Sequence, residues 1–338
     1  MKKSRISTLS IVLSLIITCL LFVSVNTKAQ VVKGLALKPI YPSNQIIENG
    51  YLNPLVKPGT TQKLSFNIIN FSNKTQKVRI SANTAKTVGT PAIDYSDHKF
   101  LNDNKKQNNF NQLFDKSVII KNVSPNKPTK ITFNAKIPKQ GFKGLLLGGF
   151  YIDNNLSLKT QQGSTLINNK YTYVMPVGIK EVDKIVKPKL TLGEVNGKNI
   201  FTRPQVNATI YNKKPGLINN MDVNTKVTNE DKKQVVNQRV QMTSVAPSTH
   251  FTMQNLANTD TLKPGKYHIR IVANSDQGKW VLEKDFTISN TQYMGSYLQA
   301  NSWLIYLIII LILLLLLLIA YLIYRKYKKN QEKKELNS

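Results

Sequence analysis

The chain is poor in the residues that carry chemistry. Of its 338 residues one is cysteine, three are histidine and two are tryptophan, and 18 acidic residues stand against 47 lysines and arginines. Cys19 lies in an N-terminal apolar segment, preceded by Thr18 rather than the Gly, Ala or Ser that suits a lipidated cysteine. Once that segment is removed, no thiol remains for a disulfide, a nucleophile or a thiolate metal site. His98, His250 and His268 fall in different segments without metal-ligand spacing. Glycosidases need two carboxyl groups roughly 5 to 9.5 Å apart, whereas the acidic residues here are mostly single and in turn-like contexts. Their densest group, Asp94, Asp97 and Asp103, lacks the spacing of a calcium loop. No Gly-x-Ser-x-Gly elbow is present. The expectation is a protein that binds and does not catalyse, with no catalytic residue, metal or cofactor.

What the chain has in abundance is apolar length at one end. Trp303 to Tyr324 carries no charge, and about 20 such residues at roughly 1.5 Å rise cross a hydrocarbon layer of about 30 Å. Trp303, Tyr306, Tyr321 and Tyr324 sit where interfacial rings belong, and Arg325 and Lys326 begin a basic tail over 325–338. Positive charge stays on the cytoplasmic side, so the preceding residues are expected outside the cell. At the N-terminus Lys2, Lys3 and Arg5 precede an apolar stretch from Leu9 to Val25, and Thr27-Lys28-Ala29 offers a cleavage site before Gln30. A signal peptide over 1–29 is the expectation, against the alternative that Leu9–Val25 persists as a second membrane helix. No sortase-type LPxTG pentapeptide precedes Trp303, so contact with a wall is expected to be noncovalent.

The net charge is +29, and 37 basic against 16 acidic residues leave +21 on residues 30–302. A field of that sign attracts polyanions. Export makes nucleic acid an unsuitable partner, and the anionic polymers of a cell wall or acidic surface polysaccharide suit it better. A diffuse solvating surface, built almost wholly from lysine, is the competing reading.

Between the two apolar segments the hydrophobic period is two. Leu64, Phe66 and Ile68 alternate with polar residues, as do Val78, Ile80 and Ala82, and Ile131, Phe133, Ala135 and Ile137. Asn49-Gly50, Pro58-Gly59, Asn73-Lys74 and Pro125-Asn126 supply turns. Only Asn109–Asp115, with Phe110, Leu113 and Phe114, suits a short helix. Residues 154–169 are polar and read as a long hairpin loop or a linker. Tyr171, Tyr173, Met175, Val177 and Ile179 alternate next, and the pattern leaves open which unit they join. Val206 to Ile210, Val223 to Val227, Tyr267 to Ala273 and Trp280 to Ile288 follow at the same period. The fold class is all-β, with two tandem immunoglobulin-like antiparallel β-sandwiches and one C-terminal transmembrane helix. The expected domains are 31–155 and 165–290, then a stalk over 291–302, the helix over 303–324 and the tail.

These residues carry a resemblance. Asn44-Gln45 is followed by Tyr51-Leu52-x-x-Leu55-x-Lys57-Pro58-Gly59, by Asn83-Thr84-Ala85, and by Gly141-Phe142-Lys143-Gly144 leading into Leu147-Gly148-Gly149-Phe150. The second half has Pro188-Lys189-Leu190, Met242 to Phe251 with Pro247, Leu262-Lys263-Pro264-Gly265-x-Tyr267, and Trp280 before the last strand. In this order, with this topology, the chain resembles the WxL-interacting proteins of Gram-positive bacteria. The resemblance implies a non-enzymatic surface protein whose first domain binds peptidoglycan and whose second binds a secreted WxL protein or a host matrix protein. A membrane-tethered chaperone or a general adhesin is the alternative. Trp280-Val281-Leu282 spells W-x-L itself, but WxL domains carry two such motifs and no second tryptophan lies between 30 and 302, so Trp280 reads as a core residue. Asn83 to Gly89 departs from the family's Asn-rich turn. Gly144, Gly148 and Gly149 have two readings, a flat surface for a glycan or strand, or a bulge that fits the strand into its sandwich.

Overall fold

The structure, a computed structural model, describes residues 34–89, 91–102, 108–162, 165–200, 203–294 and 302–335. The Ala29–Gln30 junction, the apolar N-terminal stretch and Asp103 lie outside them.

The period-two segments form strands, and the apolar member of each pair faces inward. In the first sandwich β1 (Leu35–Ile40), β2 (Thr61–Asn70) and β7 (Thr129–Lys136) make one sheet in the order β1-β2-β7. The other sheet runs β6-β3-β8-β9, from β3 (Gln76–Thr84), β6 (Val118–Val123), β8 (Leu146–Gln162) and β9 (Thr165–Ile179). Leu64, Phe66, Ile68, Val78, Ile80 and Ile152 are fully buried between them. Phe66, Phe110, Phe114, Phe133 and Phe150 form a continuous ring cluster; Phe133 stacks on Phe150 at 4.4 Å and Phe110 meets Phe150 edge-on at 5.7 Å. The short helix expected at 109–115 is a 3-10 turn over Phe110–Leu113 that delivers Phe110 and Leu113 to this core.

Strand β9 belongs to the first sandwich. It pairs with β8 from Leu146↔Ile179 to Gln162↔Thr165, and Met175, Val177 and Ile179 are part of the first core. The polar residues 154–162 and 165–169 are therefore not a linker but the far end of this hairpin, interrupted by a register shift between Asp153 and Ser157. Backbone pairing needs no apolar side chain, so period-two hydrophobicity gave no sign of it. A division at 155/165 falls inside the hairpin.

The second sandwich repeats the plan. Its sheets are β10-β11-β14 and β13-β12-β15-β16, from β10 (Leu190–Ile200), β11 (Arg203–Asn212), β12 (Ile218–Asn229), β13 (Gln234–Val245), β14 (His250–Leu256), β15 (Gly265–Ser275) and β16 (Gly278–Ile288). Val206, Val223, Val227, Ile269 and Ile271 are buried in a separate core. One buried asparagine ends the second strand of each sandwich and ties its turns. Asn70 donates to Lys74 O and Val123 O, and Asn212 donates to Gly216 O and Ala246 O. Each satisfies carbonyls that burial would otherwise leave unpaired.

Residues 290–294 are helical, and α1 (Ser302–Glu335) follows. It contains a span, Trp303–Lys329, long and apolar enough to cross a membrane, with none of it buried against protein.

Candidate functional site: the junction between the sandwiches

A small hairpin of the first sandwich, β4 (Lys86–Val88) with β5 (Ala92–Asp94), reaches onto the second. Its base is fixed from within. Asn83 donates to Tyr95 O at 2.6 Å and meets His98 Nδ1 at 2.8 Å, while Lys86 Nζ lies 3.5 Å from Asp94 and 3.1 Å from Asp97. The Lys86 hydrogen bond holds the Asp97 carboxyl below its ordinary range. At its tip the buried Thr87 hydroxyl accepts the Ala246 N–H at 2.9 Å and lies 2.8 Å from Thr249 Oγ1. Two backbone bonds flank it, Ser244 N–H to Pro91 O and Leu145 N–H to Pro215 O, both 2.9 Å. Pro247 is buried between Ala246 and Thr249. The segment 83–89, where the sequence leaves the family pattern, is thus the arm that joins the two units. Its signal was out of reach of sequence: a hydroxyl bridge across 162 residues leaves no local pattern.

Beside this arm lies a cleft of about 610 Å³. The first sandwich contributes Ile47, Tyr51, Tyr95 and Leu147, and the far wall includes Val186 and Leu217. Ile47 and Ile185 at its edge are 58% and 77% exposed, unusual for side chains of this size. The Tyr95 phenol is pushed well above its ordinary value by burial, and secondarily by Tyr51.

Asn44 and Gln45 brace the loop that carries Ile46, Ile47 and Tyr51 into the cleft wall. Asn44 Nδ2 donates to Leu55 O at 2.6 Å and Gln62 Oε1 at 2.8 Å. Gln45 donates to Ile47 O and Tyr51 O and accepts the Asn53 N–H. The loop so folded lays Leu52–Val56 parallel along the edge of β9, with Leu52 N–H to Pro176 O at 3.1 Å and Gly178 N–H to Leu52 O at 2.8 Å. Both amides therefore hold a loop in place.

The glycines serve packing, though not through a bulge: the register from Leu146 to Asp153 is unbroken. A Cβ on Gly148 would lie 2.1 Å from the Phe110 ring, and one on Gly149 2.9 Å from Tyr95. Gly144 has φ +76° and sits against Pro215 O of the second sandwich, where a Cβ would come within 2.4 Å. Close approach of rings and backbone is the reason these positions lack side chains.

In the second sandwich Tyr267 stacks on Phe286 at 5.5 Å and donates to Lys263 O at 2.7 Å, while Gly265 has φ +148° and open space around it. Trp280 packs against the rim of the core and is only half-buried, because β16 is an edge strand. Of the motif positions, Gly144 touches the other sandwich at Pro215, and Pro247 lies in the 246–249 segment that meets Thr87. His250 lies against Tyr211 at 5.3 Å, and His268 is exposed and paired with Asp285 at 2.7 Å. Among the described residues no group of His, Cys, Asp or Glu is placed to hold a metal. Trp303, Tyr306, Tyr321 and Tyr324 are all exposed on α1, with Arg325 and Lys326 following on the same helix.

Two family models match in sequence along the chain. The peptidoglycan binding domain of WxL Interacting Protein matches residues 36–154, and the host binding domain of WxL Interacting Protein matches 162–295. The chain belongs to the WxL-interacting protein family. Both models describe binding domains and neither describes an enzyme. In this family member β9 falls on the host-binding side of the sequence match but on the first sandwich in space. No curated protein matches the chain. Among solved structures it is similar to a chaperone–tip adhesin complex of CFA/I fimbriae biogenesis, at 12% identity over 73% of this chain and 97% of that one, with a TM-score of 0.31. The Salmonella enterica SafA pilin in complex with the SafB chaperone gives 14%, 76%, 99% and 0.29. The YadV chaperone gives 9%, 75%, 99% and 0.30. The likeness is one of fold at most.

Proposed function

We propose that this WxL-interacting protein is a membrane-tethered scaffold on the outer face of the cell. The first sandwich grips peptidoglycan, and the second recruits a protein, either a secreted WxL protein or a host matrix protein. The observation that carries this reading is the order of the two matched binding domains ahead of one exposed apolar helix. Cleavage after Ala29 would free the N-terminus outside, and the basic residues from Arg325 onward would hold the C-terminus in the cytoplasm. We take the first domain to run through β9 to about Lys180, and the second from Leu190 to Ile288, with 291–302 as a short stalk. The second sandwich then sits near the bilayer and the first further out.

The test uses the full chain in detergent micelles. Sedimentation with insoluble peptidoglycan should persist in about 0.5 M salt, where screening shortens to a few Å; loss of binding there means charge attraction alone. A pull-down from culture supernatant should recover a protein with two W-x-L motifs, and tight binding to collagen with no such recovery would assign the second domain to host matrix. Protease added to intact protoplasts should digest residues 30–302, and protection of that region would overturn the topology.

A further inference from the structure

The fold brings six exposed lysines onto three adjoining stretches of backbone at the junction. We propose that the junction carries a binding site for an extended polyanion with one negative charge per repeat unit, of the phosphodiester type. The inference rests on the outward placement argued above but concerns a different ligand from peptidoglycan.

Three stretches of backbone meet there. Leu145 N–H donates to Pro215 O, and Lys213 N–H donates to Lys189 O, both at 2.9 Å. A Cβ on Gly216 would lie 2.2 Å from Val186 O. The buried Asn212 fastens them together, its Oδ1 accepting the N–H groups of Lys189 at 3.3 Å and Lys214 at 3.4 Å. Its Nδ2 donates onward to Gly216 O and Ala246 O. On these stretches stand Lys143, Lys184, Lys187, Lys189, Lys213 and Lys214, all exposed. None of the six is ion-paired among the described residues. Two carboxylates lie on the same stretches, fewer than the lysines: Glu181 accepts the Phe142 N–H at 2.9 Å, beside Lys143, and Asp183 pairs with Lys180 at 3.2 Å.

Like charges gathered on a fixed backbone repel one another, within a Debye length of about 8 Å, and disfavour the compact state. A polyanion turns that repulsion into attraction and releases its own counterions. The cluster is lysine throughout. An ammonium is a point charge suited to a single anionic oxygen, whereas arginine's fork suits bidentate carboxylate or phosphate ends. A phosphodiester shares its one charge over two non-bridging oxygens, and mobile ammonium groups can meet such isolated charges from any direction along a flexible polymer. Such a ligand would touch both sandwiches and the segment between them, and so hold their arrangement.

The test measures anisotropy of a labelled poly(glycerol phosphate) oligomer with the full chain in detergent micelles. One variant replaces Lys143, Lys187, Lys189, Lys213 and Lys214 by Gln; the control replaces Lys74, Lys77, Lys121, Lys127 and Lys130, which are equally exposed. The control set lies toward the other end of the first sandwich, about 25 Å away along the eight residues of β7. Each variant removes five charges. The junction variant is expected to bind about tenfold or more weakly with a shallower salt dependence, and the control within about twofold of wild type. Equal losses in the two variants would overturn the proposal in favour of a diffuse field, as would no binding by the wild type. Tighter binding of polygalacturonate would overturn the phosphodiester assignment. Peptidoglycan stripped of anionic polymer is assayed in parallel. Retention there without oligomer binding sinks this inference alone, and loss of both sinks the wall reading as well.

Discussion

Thr87 and Thr249 bring their hydroxyl oxygens to 2.8 Å across the joint between two sandwiches, both buried. The proton positions follow from counting donors. Thr249 gives its one hydroxyl proton to Ala246 O at 3.0 Å, so Thr87 must donate to Thr249 while it accepts the Ala246 N–H. Every polar group of the contact is satisfied, and the two cores are joined by a closed network.

Thr87→Val removes that network without changing shape much. Ala246 N–H then loses its acceptor in a buried place, which costs roughly 1–3 kcal/mol. The expected readouts are a lower denaturant midpoint for the full chain and faster amide exchange at Ala246. Thr87→Ser should recover most of both. If Thr87→Val matches wild type in each, the joint does not depend on this hydroxyl.

Gly148 tests the packing of the first core. A methyl there must displace the fully buried Phe110 ring, 2.1 Å away, and overpacking of this kind costs about 1–3 kcal/mol. In a Phe110→Ala background the two nearest ring atoms are gone and only the residue's Cβ, 2.5 Å away, still has to shift, so Gly148→Ala should be less costly than in wild type. The double-mutant cycle from urea unfolding measures this coupling. Additive effects would show that the close approach is not the reason for glycine.

The architecture was legible wherever a strand buries one face. Leu64-x-Phe66-x-Ile68 and Tyr267-x-Ile269-x-Ile271-x-Ala273 alternate because one side meets a core and the other water. Strands that break the rule were silent. β6 has consecutive Val118-Ile119-Ile120 with Ile120 exposed, and β4 and β5 are three residues each. The junction was illegible for a different reason. Thr87, Asn212 and Thr249 are ordinary turn residues in sequence, and their meaning comes from partners brought together by the whole fold. The motif positions Asn44, Gln45 and Gly148 were visible as positions, yet their hydrogen bonds and contacts concern loop closure and ring packing.

Tyr95 gives the fold an alkaline limit. Its folded-state pKa is raised, first by burial and then by Tyr51, so the folded state keeps the phenol protonated at a pH where the unfolded chain, near 10, begins to ionise. The contribution is fully present below about pH 10 and is lost as pH rises through the folded value, at no more than about 1.4 kcal/mol per unit. Urea midpoints from pH 9 to 11.5 should fall more steeply for wild type than for Tyr95→Phe, lysine titration being common to both. Parallel curves would show that Tyr95 does not titrate with folding.

The place where the first domain ends decides how it can be studied alone. A fragment of residues 34–160 matches the sequence-based division closely but loses β9, and with it Met175, Val177 and Ile179, each buried at 2% or less. Removing three such side chains exposes their partners on β8 and on Leu52, whose backbone pairs with Pro176 and Gly178. Each costs on the order of 2–5 kcal/mol, and their sum approaches the whole stability of a domain, about 5–15 kcal/mol. Residues 34–183 keep the strand, the covering loop and Lys180, which accepts Val56 N–H and donates to Pro54 O. The longer fragment should therefore give dispersed amide resonances and a cooperative melt, and the shorter one neither. A cooperatively folded 34–160 would mean that β9 is an accessory strand and that the first sandwich closes without it.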